Sequence, residues 1–188
     1  MRAAVLQEAR KPIEIFDDLE VIEPRAGEVR VRVKYCGLCH SDLGFFTGKS
    51  PLMGPQVPGH EASGVVESLG EGVTHLAVGD HVILTPASPC GRCYYCQRKQ
   101  FSLCIDAMGI LSGTLPDGST GISRAGQQIY RGCGIGALAE YVTLPVNGAV
   151  KIDKDIPLDV ACVIGCALQT GVGAVLNTAK MEVGATCV

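Results

Sequence analysis

Cys90, Cys93, Cys96 and Cys104 form a C-x2-C-x2-C-x7-C run. Four thiolates on so short a segment satisfy one tetrahedral Zn2+ and leave it no open position, so the site reads as structural. Disulfides, an iron–sulfur cluster and chance coincidence are the competing readings. A ferredoxin-type run needs its last Cys four positions on and followed by Pro, whereas Cys104 lies eight beyond Cys96 and precedes Ile105. A second constellation could carry chemistry. Cys39 and His60 sit in the compact polar settings Cys39-His40-Ser41-Asp42 and Gly59-His60-Glu61, and they offer a thiolate and an imidazole. A third thiolate from far downstream would leave a fourth metal position for water or substrate. The pattern alone does not choose between Cys162 and Cys166.

Plainer roles stand beside these. Cys36 and Cys39 make a C-x-x-C, but redox dithiols of that type belong to a thioredoxin-like βαβ unit, which this segment lacks, and Cys36 reads as a buried neighbour. A lone His60 would be a structural residue were it not for its setting and the distant thiols. Ser41 with Asp42 could simply cap a helix. Glu61 and Asp42 could be solvated turn residues. His75 and His81 read as surface or strand positions, and Cys133, Cys162 and Cys187 as small buried hydrophobes.

The elements that must position these groups are mainly strands. Val29, Val31 and Val33 alternate with Arg30, Arg32 and Lys34, the period-two pattern of a half-buried strand, and this strand delivers the chain to Cys36 and Cys39. Further strands are expected at Arg2–Leu6, Glu14–Asp17, Ala62–Leu69, His81–Leu84, Ala139–Leu144 and Val150–Ile152, with turns at Ala26-Gly27, Glu71-Gly72 and Gly79-Asp80. Such spacing predicts a barrel or sandwich. Ile105 to Gly132 has weak periodicity and reads as one long loop. After Pro157 the texture changes: Leu158 to Leu168 is apolar, Thr170 to Lys180 reads as a helix closed by Gly184, and Ala185 to Val188 looks like a strand just begun.

Composition narrows the function classes. The 188 residues are 47% hydrophobic with 24 Gly, 10 Pro and no Trp, which suits a β-rich globular chain with many turns. A net charge of −3 without a basic stripe argues against nucleic acid. The apolar stretch Val160 to Leu168 is too short to span a bilayer, and the N-terminus has no signal-peptide core, so no membrane partner is expected and the cytoplasm is the default. Its thiols should then be reduced and free for metals.

Several of these motifs together resemble the zinc-dependent medium-chain alcohol dehydrogenases. Gly59-His60-Glu61-x-x-Gly64-x5-Gly70-x2-Val73 looks like their signature, and Cys36-Gly37-Leu38-Cys39-His40-Ser41-Asp42 resembles the segment carrying their first catalytic ligand. The four-Cys lobe is similar to their structural zinc site. Gly165-Cys166 followed by Thr170-Gly171 and Asn177-Thr178-Ala179-Lys180 is similar to their passage from catalytic to coenzyme domain.

The resemblance implies a GroES-like β-barrel catalytic domain over residues 1–167, a structural zinc lobe at about 88–106, and a linking helix and first-strand stub of a missing Rossmann domain over 168–188. It implies a catalytic Zn2+ on Cys39, His60 and Cys166, and a structural Zn2+ on Cys90, Cys93, Cys96 and Cys104. Ser41 would take the proton of an alcohol that gives its hydride to NAD or NADP. Asp42 would orient His60, Glu61 would contact the metal transiently, and His40 and Thr170 would touch coenzyme. The substrate would be a small alcohol or aldehyde, and the complete enzyme a homo-oligomer. A thiol-cofactor-dependent formaldehyde dehydrogenase is the neighbouring alternative, and a non-catalytic zinc-stabilised module the other. Two departures stand out. Many family members continue the proton relay with a His where this chain has Gly44. The Gly-rich pyrophosphate turn should follow Ala185, and Gly171-x-Gly173 inside a helix cannot replace it, so the chain reads as truncated and near-inactive alone.

Overall fold

In the computed structural model, which describes residues 1–186, the valine alternation becomes the centre of the main sheet. The strands run in chain order as β1 (Ala3–Val5), β2 (Glu14–Phe16), β3 (Glu20–Val21), β4 (Glu28–Gly37), β5 (Gln56–Val57), β6 (Glu61–Leu69), β7 (His81–Leu84), β8 (Ile122–Arg124), β9 (Gln127–Gln128), β10 (Tyr130–Arg131), β11 (Tyr141–Pro145) and β12 (Ala149–Ile152). Helices are few and short: α1 (His40–Thr47), α2 (Tyr94–Gln97), α3 (Gly109–Ser112), α4 (Leu158–Ala161) and α5 (Ala167–Gly173).

Five antiparallel strands pair in the order β11-β4-β6-β7-β12. Val29 and Val31 turn inward and pack with Ala62, Val66, Val82, Leu84, Val142 and Leu144, while Arg32 and Lys34 stay in water. Removing these branched side chains from water drives the sheet together, at roughly 25 cal/mol per Å2 of apolar surface. The β4–β6 ladder is interrupted by register shifts at Arg30/Val31 and at Val33/Tyr35, the second close to the strand end that leads to Cys39. A second core of Ala3, Val5, Leu19, Val57, Ile122 and Ile129 joins the smaller pairings β1-β2, β3-β8-β9 and β5-β10. The mainly β class with few short helices is thus as expected, with the described strands pairing as an open main sheet and small satellites instead of one closed ladder. Gly27, Gly72 and Gly79 take positive φ at the three expected turns.

Two stretches differ from expectation. Ile105 to Gly132 is not one irregular loop: a 3-10 turn (Ile105–Met108), α3, β8, β9 and β10 are strung along it. Each is four residues or fewer, too short for a periodic pattern to register. Arg131 fastens this segment, being fully buried and donating from Nη2 to the Thr143 carbonyl at 2.7 Å, from Nη1 to Thr120 at 3.3 Å and from Nε to Gly134 at 3.2 Å. The C-terminal helix begins at Ala167, ahead of Thr170, and continues after Gly173 as a π turn, Ala174–Thr178. It closes before Gly184. The amide of Ala179 bonds Ala174 O and that of Met181 bonds Val175 O, and Lys180 takes the left-handed φ of 51° that ends the helix, while Gly184 lies in a later turn. Of the strand expected at Ala185–Val188, Ala185 and Thr186 join no strand, and Cys187 and Val188 lie outside the described residues. Among the described residues no single helix is long and apolar enough to cross a bilayer.

Candidate active site and metal centres

Neighbouring strands bring the first two candidate ligands together. β4 ends at Gly37, which pairs with Glu61 at the start of β6, so the segments just beyond each strand end, carrying Cys39 and His60, share one edge of the sheet. Gly59 makes the final turn into β6 at φ +92°, where a Cβ would stand 2.7 Å from Cys36 Sγ and 2.9 Å from the Leu138 amide. Only glycine suits both that conformation and that space. Cys166 arrives from the turn Cys162–Gly165, which docks on β7 so closely that a Cβ on Gly165 would overlap the Leu84 carbonyl. The donor atoms of Cys39, His60, Glu61 and Cys166 lie within 4.8 Å of one another. Cys162, the alternative thiol, is outside this group: it is buried, and its Sγ donates to the Asp159 carbonyl at 3.1 Å.

Cys39, not Ser41, is the N-cap of α1 (φ −93°, ψ 158°), and Asp42 reaches back to it. The fully buried Asp42 carboxylate accepts from the amides of Cys39 and Gly59, each at 3.0 Å, and its Oδ1 lies 3.4 Å from His60 Nδ1. The last contact is close in distance but poorly aligned, and it leaves Nδ1 a buried nitrogen without a well-formed hydrogen bond. Burial opposes ionisation of Asp42, yet the imidazole and the two amides outweigh it and hold the carboxyl below its ordinary value.

The donor set fits a divalent metal. Zinc–sulfur bonds of about 2.3 Å put tetrahedral ligands about 3.8 Å apart, inside the observed envelope. Burial disfavours a charged His60, but Asp42 and then Cys133 push the imidazole up to about 12. A ligating imidazole must be neutral, so metal binding at His60 would release a proton. Burial also opposes ionisation of Cys39, against the amide and hydroxyl of Ser41 and the His60 ring, and the balance falls below the ordinary thiol value. Cys166 is raised by burial, with the neighbouring Cys39 adding to it. Cys36 is pushed up to about 12 by burial and then by Asp42, and its Sγ contacts the Gly37 carbonyl at 3.4 Å. A thiol so reluctant to ionise makes a poor redox partner for Cys39.

The lobe gathers a second donor set, the thiols of Cys90, Cys93, Cys96 and Cys104, again within 4.8 Å. Backbone amides point at the sulfurs: Cys90 N to Cys104 Sγ at 3.2 Å, Cys93 N to Cys90 Sγ at 3.3 Å and Cys96 N to Cys93 Sγ at 3.5 Å. Such amides stabilise thiolate charge, and that of Cys96 is the main influence drawing Cys93 down to about 6, while burial pushes Cys96 up to about 12. Every described cysteine is free of disulfides.

Ser41 is exposed, with its Oγ 3.8 Å from Cys39 Sγ, and His40 and Thr170 are exposed as well. Cys133 differs from its reading as a buried hydrophobe. It is half-buried in left-handed backbone (φ 48°), and its thiol interacts with the His60 ring. The signal available in the sequence was the flanking pair Gly132 and Gly134, which marks a tight turn.

A mainly antiparallel β domain that gathers two thiol-rich groups of possible metal donors is the class of protein that the fold and the site define. The alcohol dehydrogenase GroES-like domain model matches residues 25–154, and the chain belongs to that family. It is 40% identical over 188 residues to alcohol dehydrogenase class-3 of Drosophila melanogaster, covering 99% of this chain and 49% of that protein. Alcohol dehydrogenase class-P of Arabidopsis thaliana is also 40% identical, over 97% of this chain and 49% of that protein. Among solved structures, the alcohol dehydrogenase zinc-binding domain protein from Burkholderia ambifaria has a TM-score of 0.87 at 36% identity, covering 98% of this chain and 50% of that one. Benzyl alcohol dehydrogenase from Acinetobacter calcoaceticus has a TM-score of 0.81 at 33% identity, covering 94% and 47%. The chain spans about half the length of the curated relatives it matches.

Proposed function

We propose that the chain is the catalytic-domain part of a zinc-dependent, nicotinamide-linked oxidoreductase that interconverts small alcohols with aldehydes or ketones. The observation that carries this reading is the convergence of Cys39, His60, Glu61 and Cys166 from three separate segments into one donor group. Cys39, His60 and Cys166 would hold the catalytic zinc, and Cys90, Cys93, Cys96 and Cys104 a structural one. Zinc bound at the first group supplies a Lewis acid that brings the pKa of an alcohol hydroxyl towards neutrality.

The remaining work falls to side chains. Ser41 takes the alcohol proton at Oγ and passes it to solvent, because Gly44 offers no group to extend a relay. The Asp42 carboxylate, 3.4 Å from His60 Nδ1, would draw the ring proton to that nitrogen and leave Nε2 for the metal. His40 and Thr170, both exposed, are available to NAD or NADP. Residues 1–167 form the catalytic domain and 168–188 lead into a coenzyme-binding domain, through which the complete, cytoplasmic enzyme would form homo-oligomers.

Metal analysis of the purified chain should give two zinc per chain, and Cys166→Ser should lose one. Fewer than two in the parent chain, with its thiols titrating freely, would overturn the reading. The polypeptide extended to the length of its relatives should reduce NAD or NADP with short alcohols, whereas the present chain should bind coenzyme weakly and turn over slowly.

A further inference from the structure

We infer that Gly37 is a positioning residue whose missing side chain gives the Glu61 carboxylate its seat beside the donors of Cys39, His60 and Cys166. The inference rests on reading that group as a metal site. Gly37 closes β4 opposite Glu61, the first residue of β6. It is not among the glycines with positive φ, so its backbone would accept any L residue. Space is what excludes one. A Cβ built there stands 2.7 Å from Glu61 Oε2 and 3.3 Å from Glu61 Cβ, with Val163 Cγ1 at 3.5 Å an ordinary contact.

Glu61 is only 4% exposed, so its carboxylate has few places to go. The 3.3 Å contact with its Cβ asks β6 to give by only a few tenths of an ångström, whereas the 2.7 Å overlap with Oε2 is relieved only by moving the carboxylate. A methyl at position 37 must displace the carboxylate from where it now stands. Because a Glu61 oxygen lies within 4.8 Å of the two sulfurs and the imidazole nitrogen, that displacement changes the charge and the ligand available to a metal in the group. Gly37 thereby sets whether a buried carboxylate waits near the metal as a spare donor, and so how readily the metal exchanges its other ligands.

The test is cobalt substitution of the purified chain, comparing the parent, Gly37→Ala, Glu61→Asp and Gly37→Ala/Glu61→Asp. The readouts are the visible cobalt absorption and the rate of metal release to a chelator, and Cys166→Ser identifies which part of each signal belongs to this group. Gly37→Ala should shift the absorption and change the release rate about threefold or more, somewhat below the ~10–100-fold typical of lost outer-shell partners. The double variant should lie close to Glu61→Asp alone, because the shorter side chain removes the 2.7 Å overlap with Oε2 and leaves only the 3.3 Å contact with Cβ, which Gly37→Ala and the double variant share. An unchanged Gly37→Ala spectrum and release rate would overturn the inference, as would a change that Glu61→Asp does not relieve. If Gly37→Ala fails to fold, recovery of folding in the double variant supports the clash with Glu61, and failure of both overturns it. A parent chain whose cobalt signal is untouched by Cys166→Ser would instead refute the metal site itself.

Discussion

The Asp42 carboxylate stands 3.4 Å from His60 Nδ1 while accepting hydrogen bonds from the amides of Cys39 and Gly59. One buried side chain therefore reaches the imidazole of one candidate ligand, the backbone of a second, and the turn that aims the first. Asp42→Asn keeps the shape but removes the charge and turns one acceptor into a donor. Metal affinity of the Cys39 group should fall about 10–100-fold, measured by competition with a chromogenic chelator, with the lobe unaffected. An amide left facing the new NH2 group should cost a further ~1–3 kcal/mol of stability, read from urea denaturation.

Gly165 and the Leu84 carbonyl make the contact that delivers Cys166. Gly165→Ala inserts a methyl where both neighbours are backbone, so the turn must lift from β7. We expect about 1–3 kcal/mol of destabilisation, typical of overpacking, together with loss of most metal from the Cys39 group. Gly171→Ala is the matched control, since nothing lies within 4 Å of its Cβ position inside α5. That change should leave metal content unaltered and stabilise the chain by up to ~1 kcal/mol.

These relationships explain what the sequence could and could not reveal. Cys39 and His60 were legible because a thiol and an imidazole in Gly-flanked polar settings have few cheaper explanations. The choice of Cys166 over Cys162 came only from resemblance, since it depends on how Gly165 seats on Leu84, a contact between residues far apart in the chain. Ser41 looked as good a helix cap as any by residue type. The cap fell to Cys39 because Asp42, three residues on, reaches the Cys39 amide. The valine strand was plain from its alternation, whereas the elements between Ile105 and Gly132 are too short to show a period. Arg131 gave no hint of burial, because arginine is ordinarily a surface residue and its partners here are carbonyls.

Arg131 is fully buried and gives three hydrogen bonds to backbone carbonyls, so truncating it strands buried acceptors. Arg131→Met leaves the carbonyls of Thr120, Gly134 and Thr143 without their donor, and the loss should be about 3 kcal/mol or more by urea denaturation. The segment around Cys133 and Gly134 should loosen as well, seen as faster amide exchange at Gly113 and Ile135, whose amides bond Gly109 and Gly132.

In the lobe, the amide-to-sulfur bonds alone hold little once the metal is gone. Cys93→Ser should lose one metal per chain and leave the Cys39 group loaded. The exposed Arg98–Lys99 pair, with Lys99 already at φ 60°, should then become the first tryptic cleavage site, cut about tenfold faster than in the parent chain. Equal cleavage of the two proteins would show that the lobe holds its shape without metal.

Asp80 supplies a pH dependence away from both metal groups. Its Oδ2 accepts from Lys151 Nζ at 2.8 Å and from the Ala77 amide at 2.9 Å, clasping the edge strand β12 to the turn before β7. Lys151 first, and then the amide, hold its carboxyl below the ordinary value of 3.8. A carboxyl depressed in the folded state stabilises it at every pH above the unfolded value, and that contribution fades as pH falls through the lower folded value. Asp80→Asn should therefore lower Tm by a constant amount between about pH 5 and pH 8, and the gap to the parent chain should close below about pH 4. Thermal melts across that range decide it, because a gap that persists undiminished into acid would mean the substitution acts through packing and not through the charge on Asp80.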